Sequence, residues 1–327
     1  MKFWKGRNVL VTGATGIVGS WLVKELLERG ARVTSLVLDA DPQSELYRSG
    51  DVQHTTVVLG KLQDLETLER AIHGHEIDTV FHLGAQAIVG AAQRSPLDTF
   101  ESNIRGTYNL LEACRTSKGL VQRVVVASSD KAYGTHKKLP YTETMPLQGR
   151  EPYEVSKSCA DLLAQSYFHA YGLPVAVARC GNIYGGGDLN WSRIVPATIR
   201  SLYRRERPIV RSDGKFTRDY LYVVDVVRAY MLLAEKMTGK GVRGESFNFG
   251  PQKPLTVLQI VKAVQKAVGG PAFKPVVLNK AKGEIRDQYL SSAKARKRLG
   301  WKPSFKLEDG LRDTVAWYRA FFASEQA

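Results

Sequence analysis

The segment Thr12-Gly13-Ala14-Thr15-Gly16-Ile17-Val18-Gly19 follows directly on the apolar, β-branched run Asn8–Thr12 and opens a stretch of helical periodicity, Val18–Arg29. No other feature constrains the fold as strongly. A strand that turns within a few residues into a helix needs backbone conformations and close approaches that only glycine tolerates. Gly13 suits the tight turn, Gly16 the approach of a ligand to bare backbone, and Gly19 the contact between helix and strand. The free amide groups at such a helix start favour an anion, and the pyrophosphate of a dinucleotide fits both the charge and the spacing.

The rest of the chain repeats the same alternation. Apolar runs at Asn8–Thr12, Arg32–Leu38, Thr55–Leu59, Asp78–Leu83, Arg123–Ala127 and Pro174–Arg179 read as strands buried on both faces. Between them, Val18–Arg29, Leu65–Ile72, Thr99–Arg115 and Tyr153–Tyr171 carry helical periodicity. The expectation is an α/β chain with a doubly wound, parallel Rossmann sheet and right-handed crossovers. After Arg179 the rhythm breaks at the turn-rich Gly181–Asp188, and amphipathic helices follow near Val257–Val268 and Leu307–Phe322. The division expected is a dinucleotide-binding domain over 1–180 and a smaller α/β substrate lobe over 181–327. Part of 219–250, including Asp219–Glu235 and the strand-like Ser246–Gly250, is expected to return to the first sheet.

Composition narrows the setting. Hydrophobic residues make up 43% and charged residues 24%, ordinary usage for a globular chain, and no apolar run is long enough to span a bilayer. Met1-Lys2-Phe3-Trp4-Lys5 leads straight into Asn8–Thr12, where Gly13 interrupts any signal-peptide core. Cys114, Cys159 and Cys180 are far apart and form neither a disulfide framework nor a metal-binding CxxC pair, so the expectation is a cytoplasmic protein without a metal. The net charge of +15 raises nucleic acid as a partner, yet its positive residues are scattered into small clusters without aromatic interleaving. A solvated surface tuned in part to an anionic small substrate is the reading preferred to nucleic-acid binding.

Asp39 lies about twenty residues past the glycine loop, at the end of the Val33–Leu38 run, where a carboxylate accepts from ribose hydroxyls and repels a 2′-phosphate. NAD is thereby favoured over NADP, with Asp41 near enough to share the role. The Gly-x-x-Gly-x-x-Gly spacing resembles short-chain dehydrogenase/reductase proteins. That resemblance implies cofactor contacts from Gly13, Thr15, Gly16, Ile17, Gly19, Asp39, Leu83 and Ala85, together with Asn103, Tyr153 and Lys157. Lys61 departs from the pattern, because these proteins usually carry an acidic residue there to meet the adenine.

Tyr153-Glu154-Val155-Ser156-Lys157 begins a helix just after Pro152, which puts Tyr153 and Lys157 on one face, a turn apart. The spacing alone is weak in a chain with 14 tyrosines, but it follows the Arg123–Ala127 strand, whose end carries Ser128-Ser129-Asp130-Lys131. Ligands of open α/β sheets gather at such strand ends. A phenol works as a base near neutrality only where positive charge favours its phenolate, a role for Lys157 and an oxidised nicotinamide. Ser129 would hydrogen-bond the same substrate oxygen. Asn103 matches a position assigned to organising the site, and the bland alternative is a helix-packing amide.

Phe81–Gln86, Tyr133-Gly134, Tyr153–Lys157, Arg179–Gly185, Thr217–Asp225 and Leu299–Pro303 together resemble the extended members of this superfamily that act on nucleoside-diphosphate sugars. The resemblance covers nearly the whole chain and implies a homodimer formed through Thr99–Arg115 and Tyr153–Tyr171. It gives Arg218 and Asn182 to the sugar-nucleotide diphosphate, with an Arg218 ion pair to Asp219 or Asp225 as the competing arrangement. Epimerases of the group carry small, non-ionisable residues after the serine, whereas sugar-nucleotide 4,6-dehydratases place an acid/base pair there. Asp130-Lys131 is such a pair. Lys131 would take the C5 proton, held neutral by burial and Lys157, and a protonated Asp130 would serve the departing C6 hydroxyl. The alternative is a surface ion pair between the two. Gln86, Gly181–Asp188 and Arg193–Pro196 look more like CDP-glucose 4,6-dehydratases than the dTDP-glucose branch, although Thr217–Asp225 has the form common to epimerases and other dehydratases. A 4,6-dehydratase on CDP-glucose leads, with UDP-, dTDP- and GDP-hexoses open. A C4 epimerase is the first rival, and a non-enzymatic NAD- or RNA-binding protein the second.

Overall fold

The computed structural model describes residues 3–117, 119–281 and 283–325; Met1 and Lys2, part of the signal-peptide reading, lie outside the described residues. Six strands alternate with helices from the start: β1 Asn8–Thr12, β2 Arg32–Val37, β3 Thr56–Leu59, β4 Thr79–His82, β5 Arg123–Ser129 and β6 Val175–Cys180. With the later strand Ser246–Phe249 beside β6, they form one parallel sheet in the order (246–249)-β6-β5-β4-β1-β2-β3. The order reverses between β1 and β4. That crevice, at the C-terminal strand ends, is where such sheets take ligands.

Alternation along each strand builds two apolar layers. Val9, Val11, Phe81, Val125 and Ala178 pack on one face against Leu22 and Leu26 of the helix Ile17–Glu28 and Val226 and Tyr230 of the helix Val223–Glu235. Leu10, Val80, Val124, Val126 and Val177 point to the other face, against Leu68, Leu110, Leu111 and Ala164 of the helices Leu65–Gly74, Gly106–Thr116 and Pro152–Tyr171. Burying a side chain of this size contributes roughly 1.5–3 kcal/mol, so the sheet is fixed before any polar group is considered. A third cluster gathers Tyr184, Ile199, Tyr222, Ile260, Leu311 and Phe321 from the later part of the chain.

Two expectations need correction. β3 is not buried on both faces: it is the sheet edge, with β2 as its single neighbour, and Leu59 is 67% exposed. Thr99–Arg115 is not one regular helix either. Pro96–Phe100 runs into a π-helical turn, Glu101–Arg105, before α-helix resumes at Gly106–Thr116. The wider turn lets Asn103, buried in its middle, reach out of the helix. Among the described residues, no helix is long and apolar enough to cross a membrane.

Candidate active site

The glycine loop sits tightly in the crevice. Gly13 has φ +68°, and a Cβ there would lie 2.8 Å from the Gly84 nitrogen, while a Cβ at Gly19 would overlap the Gly13 carbonyl. Gly16 is the N-cap of the helix Ile17–Glu28 and provides no side-chain cap, so the first amide groups of that helix stay open, with Thr15 and Ile17 beside them partly exposed. A buried relay braces the loop against its neighbours. Thr12 Oγ1 accepts from the Leu83 and Gly84 amides at 3.1 and 3.0 Å and lies 2.9 Å from His82 Nδ1. His82 Nε2 lies 3.0 Å from Thr107 Oγ1, which donates to the Asn103 carbonyl. Burial, followed by the charge of Lys157, pushes the His82 imidazole down to about 3, so it stays neutral in this relay.

Past β2, Asp41 is tied into a turn by the Gln43 amide at 2.9 Å, whereas Asp39 is exposed. Lys61, just past β3, is also exposed. Asn103 Oδ1 accepts from the Gln86 amide at 2.7 Å, and its Nδ2 donates to the Gln86 carbonyl and to Ser156 Oγ. It therefore ties the segment after β4, which includes Ala85, to the helix carrying Tyr153. The Gln86 side chain accepts from the Ile88 amide at 3.1 Å.

That helix, Pro152–Tyr171, starts with Pro152 in its first turn and a reciprocal Glu151/Glu154 capping box. Ser158 Oγ donates to the Ala132 carbonyl at 2.9 Å, and Lys157 Nζ to the Ala127 carbonyl at 2.8 Å. Both bonds hold the helix to the end of β5 and the 3₁₀ turn Asp130–Tyr133. Ser129 caps this turn by accepting from the Lys131 amide, and its hydroxyl donates to Asp130 Oδ1 at 3.1 Å. Burial pushes the Tyr153 phenol up to about 12; Arg193 is the positive charge that opposes this most, and a hydrogen bond to Ser129 helps. Lys157 is not among the groups acting on that phenol. Its own ammonium is brought down to about 8 by burial, against the pull of Asp161. Asp161 is held in turn by Arg179, at 2.7 Å from Nε and 2.9 Å from Nη2.

Asp130 and Lys131 form no surface ion pair. Asp130 is 2% exposed, and burial raises its carboxyl to about 6 despite the opposing charges of Lys131 and Arg218. Lys131 Nζ lies 3.5 Å from Gln288 Oε1. Its pKa is lowered by burial and then by Arg218, which takes the part expected of Lys157.

Arg218 pairs with neither Asp219 nor Asp225. Its guanidinium donates to the carbonyls of Ile285 (2.5 Å), Arg286 (2.8 Å) and Thr217 (2.8 Å), with Glu284 at 3.7 Å. Asp225 instead accepts from the amides of Ser304 and Phe305. Arg218 thus anchors the segment that delivers Gln288, which the sequence reading missed. Gln288 is fully buried, and among the described residues its Nε2 has no partner. Asn182 lies on a short strand paired with Tyr220–Tyr222, its amide bonded to the Asp219 carbonyl. Arg193 ion-pairs with Asp188 at 3.2 Å. Among the described residues, no cluster of His, Cys, Asp or Glu could hold a metal ion.

A parallel sheet with a glycine cradle at its order reversal, and Ser129, Tyr153 and Lys157 at the adjoining strand end, define the extended short-chain dehydrogenase/reductase class. The family model described as GDP-mannose 4,6 dehydratase matches residues 10–314, and the chain belongs to that family. The chain is 32% identical to a CDP-glucose 4,6-dehydratase of Salmonella typhimurium, over 99% of this chain and 93% of the relative. Among solved structures it resembles a UDP-glucose 4-epimerase from Thermotoga maritima with UDP-glucose (TM-score 0.87, 32% identity, 96% of this chain and 99% of that one). It also resembles a dTDP-glucose 4,6-dehydratase from Streptomyces venezuelae with NAD bound (TM-score 0.84, 28% identity, 96% and 97% covered).

Proposed function

We propose that this protein is an NAD-dependent nucleoside-diphosphate-hexose 4,6-dehydratase, with CDP-glucose as its leading substrate. The observation that carries the reading is the buried pair Asp130 and Lys131 beside Ser129, with the Asp130 carboxyl raised to about 6 and the Lys131 ammonium lowered. Both groups are shifted toward their neutral forms, which are the forms an acid and a base need. The CDP-glucose choice rests on the Salmonella relative and on Gln86, Gly181–Asp188 and Arg193–Pro196.

Residues 1–180 hold the cofactor and 181–327 form most of the sugar-nucleotide lobe in this reading, with part of 219–250 returned to the first sheet. The loop fits a dinucleotide: Gly13 and Gly19 leave no room for a Cβ, and the uncapped helix start at Gly16 suits a pyrophosphate. Asp39, free of the turn that occupies Asp41, would take the ribose hydroxyls. Bound NAD supplies a hydride acceptor toward C4 of the hexose and a hydride donor toward C6. Tyr153 receives the C4 hydroxyl proton, with Ser129 hydrogen-bonded to the same oxygen. Lys131 removes the C5 proton made acidic by the neighbouring ketone. Asp130 gives its proton to the C6 hydroxyl as that group leaves as water.

The test is incubation of the purified protein, without added reductant, with CDP-, UDP-, dTDP- and GDP-hexoses, followed by mass analysis. Loss of one water supports the reading. An unchanged mass with inverted C4 assigns an epimerase instead, and dehydration of none of the four sinks the proposal. A Gly19→Ala substitution must push the loop away from the helix, at a cost of about 1–3 kcal/mol. It should weaken NAD binding by about tenfold or more, read by fluorescence titration beside a thermal melt.

A homodimer in the cytoplasm completes the proposal. Tyr108, Leu162 and Tyr171, on the helices Gly106–Thr116 and Pro152–Tyr171, are exposed apolar or aromatic groups, and Leu162 is 57% exposed. Light scattering should give twice the chain mass, and Leu162→Asp should reduce it to one chain while leaving the melting temperature nearly unchanged.

A further inference from the structure

Two carboxyl oxygens, Asp130 Oδ2 and Asp219 Oδ1, are buried without a hydrogen-bond partner among the described residues. The second oxygen of each group is engaged. Asp130 Oδ1 accepts from Ser129, and Asp219 Oδ2 accepts from the Leu290 amide at 2.9 Å. Gly181 lies against both residues: a Cβ there would sit 3.1 Å from Asp219 Cβ and 3.9 Å from Asp130 Oδ2. On the other side, a Cβ at Gly250 would come within 2.7 Å of Asp219 Oδ2. Two missing side chains therefore leave room for the fully buried Asp219, and Gly181 borders both it and Asp130.

Neighbouring carboxyls in a dry space do not both ionise, because desolvation and mutual repulsion favour one proton on the pair. Burial raises Asp219 to about 6, and the charge of Asp130 adds to that. The other groups facing the pair are known. Lys131 and Arg218 favour the Asp130 carboxylate, while Ser129 and the Lys131 amide bond to it. The Leu290 and Lys253 amides act on Asp219. The hydroxyls of Tyr141 and Tyr153 and the Cys180 thiol also respond to the charge of Asp130. Nothing in the reaction above uses Asp219, and Arg218 is committed to carbonyls rather than to it.

We propose that Asp219 is a positioning residue that shares one proton with Asp130 and so keeps Asp130 protonated for its role as acid. The inference rests on the dehydratase reading only for what that acid does. The protons balance without an external acid, because the proton Lys131 takes from C5 returns to C5 once C6 is reduced. As the C6–O bond breaks, its electron pair leaves with the oxygen, which takes the Asp130 proton and departs as water. The Asp130 carboxylate recovers a proton from Tyr153, which has gained one from the C4 hydroxyl, with Ser129 hydrogen-bonded to Asp130 and acting on the Tyr153 phenol.

Infrared titration of the full-length protein without substrate tests the pair directly. The parent should show a protonated-carboxyl band near pH 6 that is absent from Asp130→Asn and Asp219→Asn at the same pH. In each variant the surviving carboxyl should titrate at least about one pH unit lower, a tenfold smaller protonated fraction. An asparagine at 219 still offers an oxygen to the Leu290 amide, and a thermal melt checks that the fold is kept. If Asp219→Asn does not fold, the Asp130→Asn titration decides alone. An unchanged midpoint of the surviving carboxyl overturns the proposal. In turnover, Asp219→Asn should move the alkaline limb of kcat to lower pH by a similar amount, and an unmoved limb also counts against the pair. A protein that shows the shared band but dehydrates no sugar nucleotide defeats the dehydratase reading and leaves the pair standing.

Discussion

Tyr153→Phe should lower turnover by about 10²- to 10⁴-fold, the usual contribution of a positioned proton acceptor, while leaving the fold almost untouched. Phenylalanine keeps the ring, and what is lost is the interaction of the phenol with Ser129, worth about 1 kcal/mol. Every later event depends on this one. Without a group to take the C4 hydroxyl proton there is no ketone, the C5 proton is not acidic, and Lys131 and Asp130 have nothing to act on. Loss of C4 oxidation and loss of water should therefore fall together in single-turnover measurements, with sugar-nucleotide binding retained. The phenol stands at about 12 in the chain alone, far above the working range. Much of the positive charge that brings it down must arrive with the ligands, and Arg193 is the chain's own contribution. A Tyr153→Phe variant that still dehydrates at the parent rate would remove Tyr153 from the reaction.

What the sequence revealed of this arrangement depends on how local each signal was. The β-branched runs specified the strands because burial between two helical layers leaves an uninterrupted apolar pattern, and β3 broke the rule only because its position at the edge is set by topology. The glycine loop was legible for the same reason, since the constraint on Gly13 and Gly19 lies within a few residues of chain. The π turn at Glu101–Arg105 was not. It accommodates the bonds of Asn103 to Gln86 and Ser156, neighbours brought there by the sheet and by another helix. Arg218 was identified as important by its motif, but its partners are backbone carbonyls, which leave no mark in a sequence. Gln288 is hidden in the same way, since only the Arg218 anchor brings it to Lys131. The proximity of Asp219 to Asp130 follows from a strand pairing, Asn182–Tyr184 with Tyr220–Tyr222, that no spacing rule announces.

Lys131→Ala should separate the two halves of the chemistry. Proton transfer at C4 lies with Tyr153 and Ser129 and needs nothing from Lys131, so it should persist in the variant. Removal of the C5 proton should fall by about 10²- to 10⁴-fold, and formation of the 4-keto-6-deoxy product should fall with it. In heavy water the parent should place solvent deuterium at C5, and the variant should lose this exchange in the same proportion as product. Two features of the chain make the effect attributable to the base. Burial and the Arg218 charge both lower the Lys131 pKa, which favours the neutral amine that a base needs. The nearest acceptor is the uncharged Gln288 rather than a carboxylate that would fix the ammonium. Lys131→Met, which keeps most of the side-chain volume, controls for packing: it should be as inactive in elimination as the alanine variant while melting closer to the parent. Parent-level dehydration in either variant would transfer the C5 step to another group and leave Lys131 as a neighbour that tunes the Asp130 carboxyl.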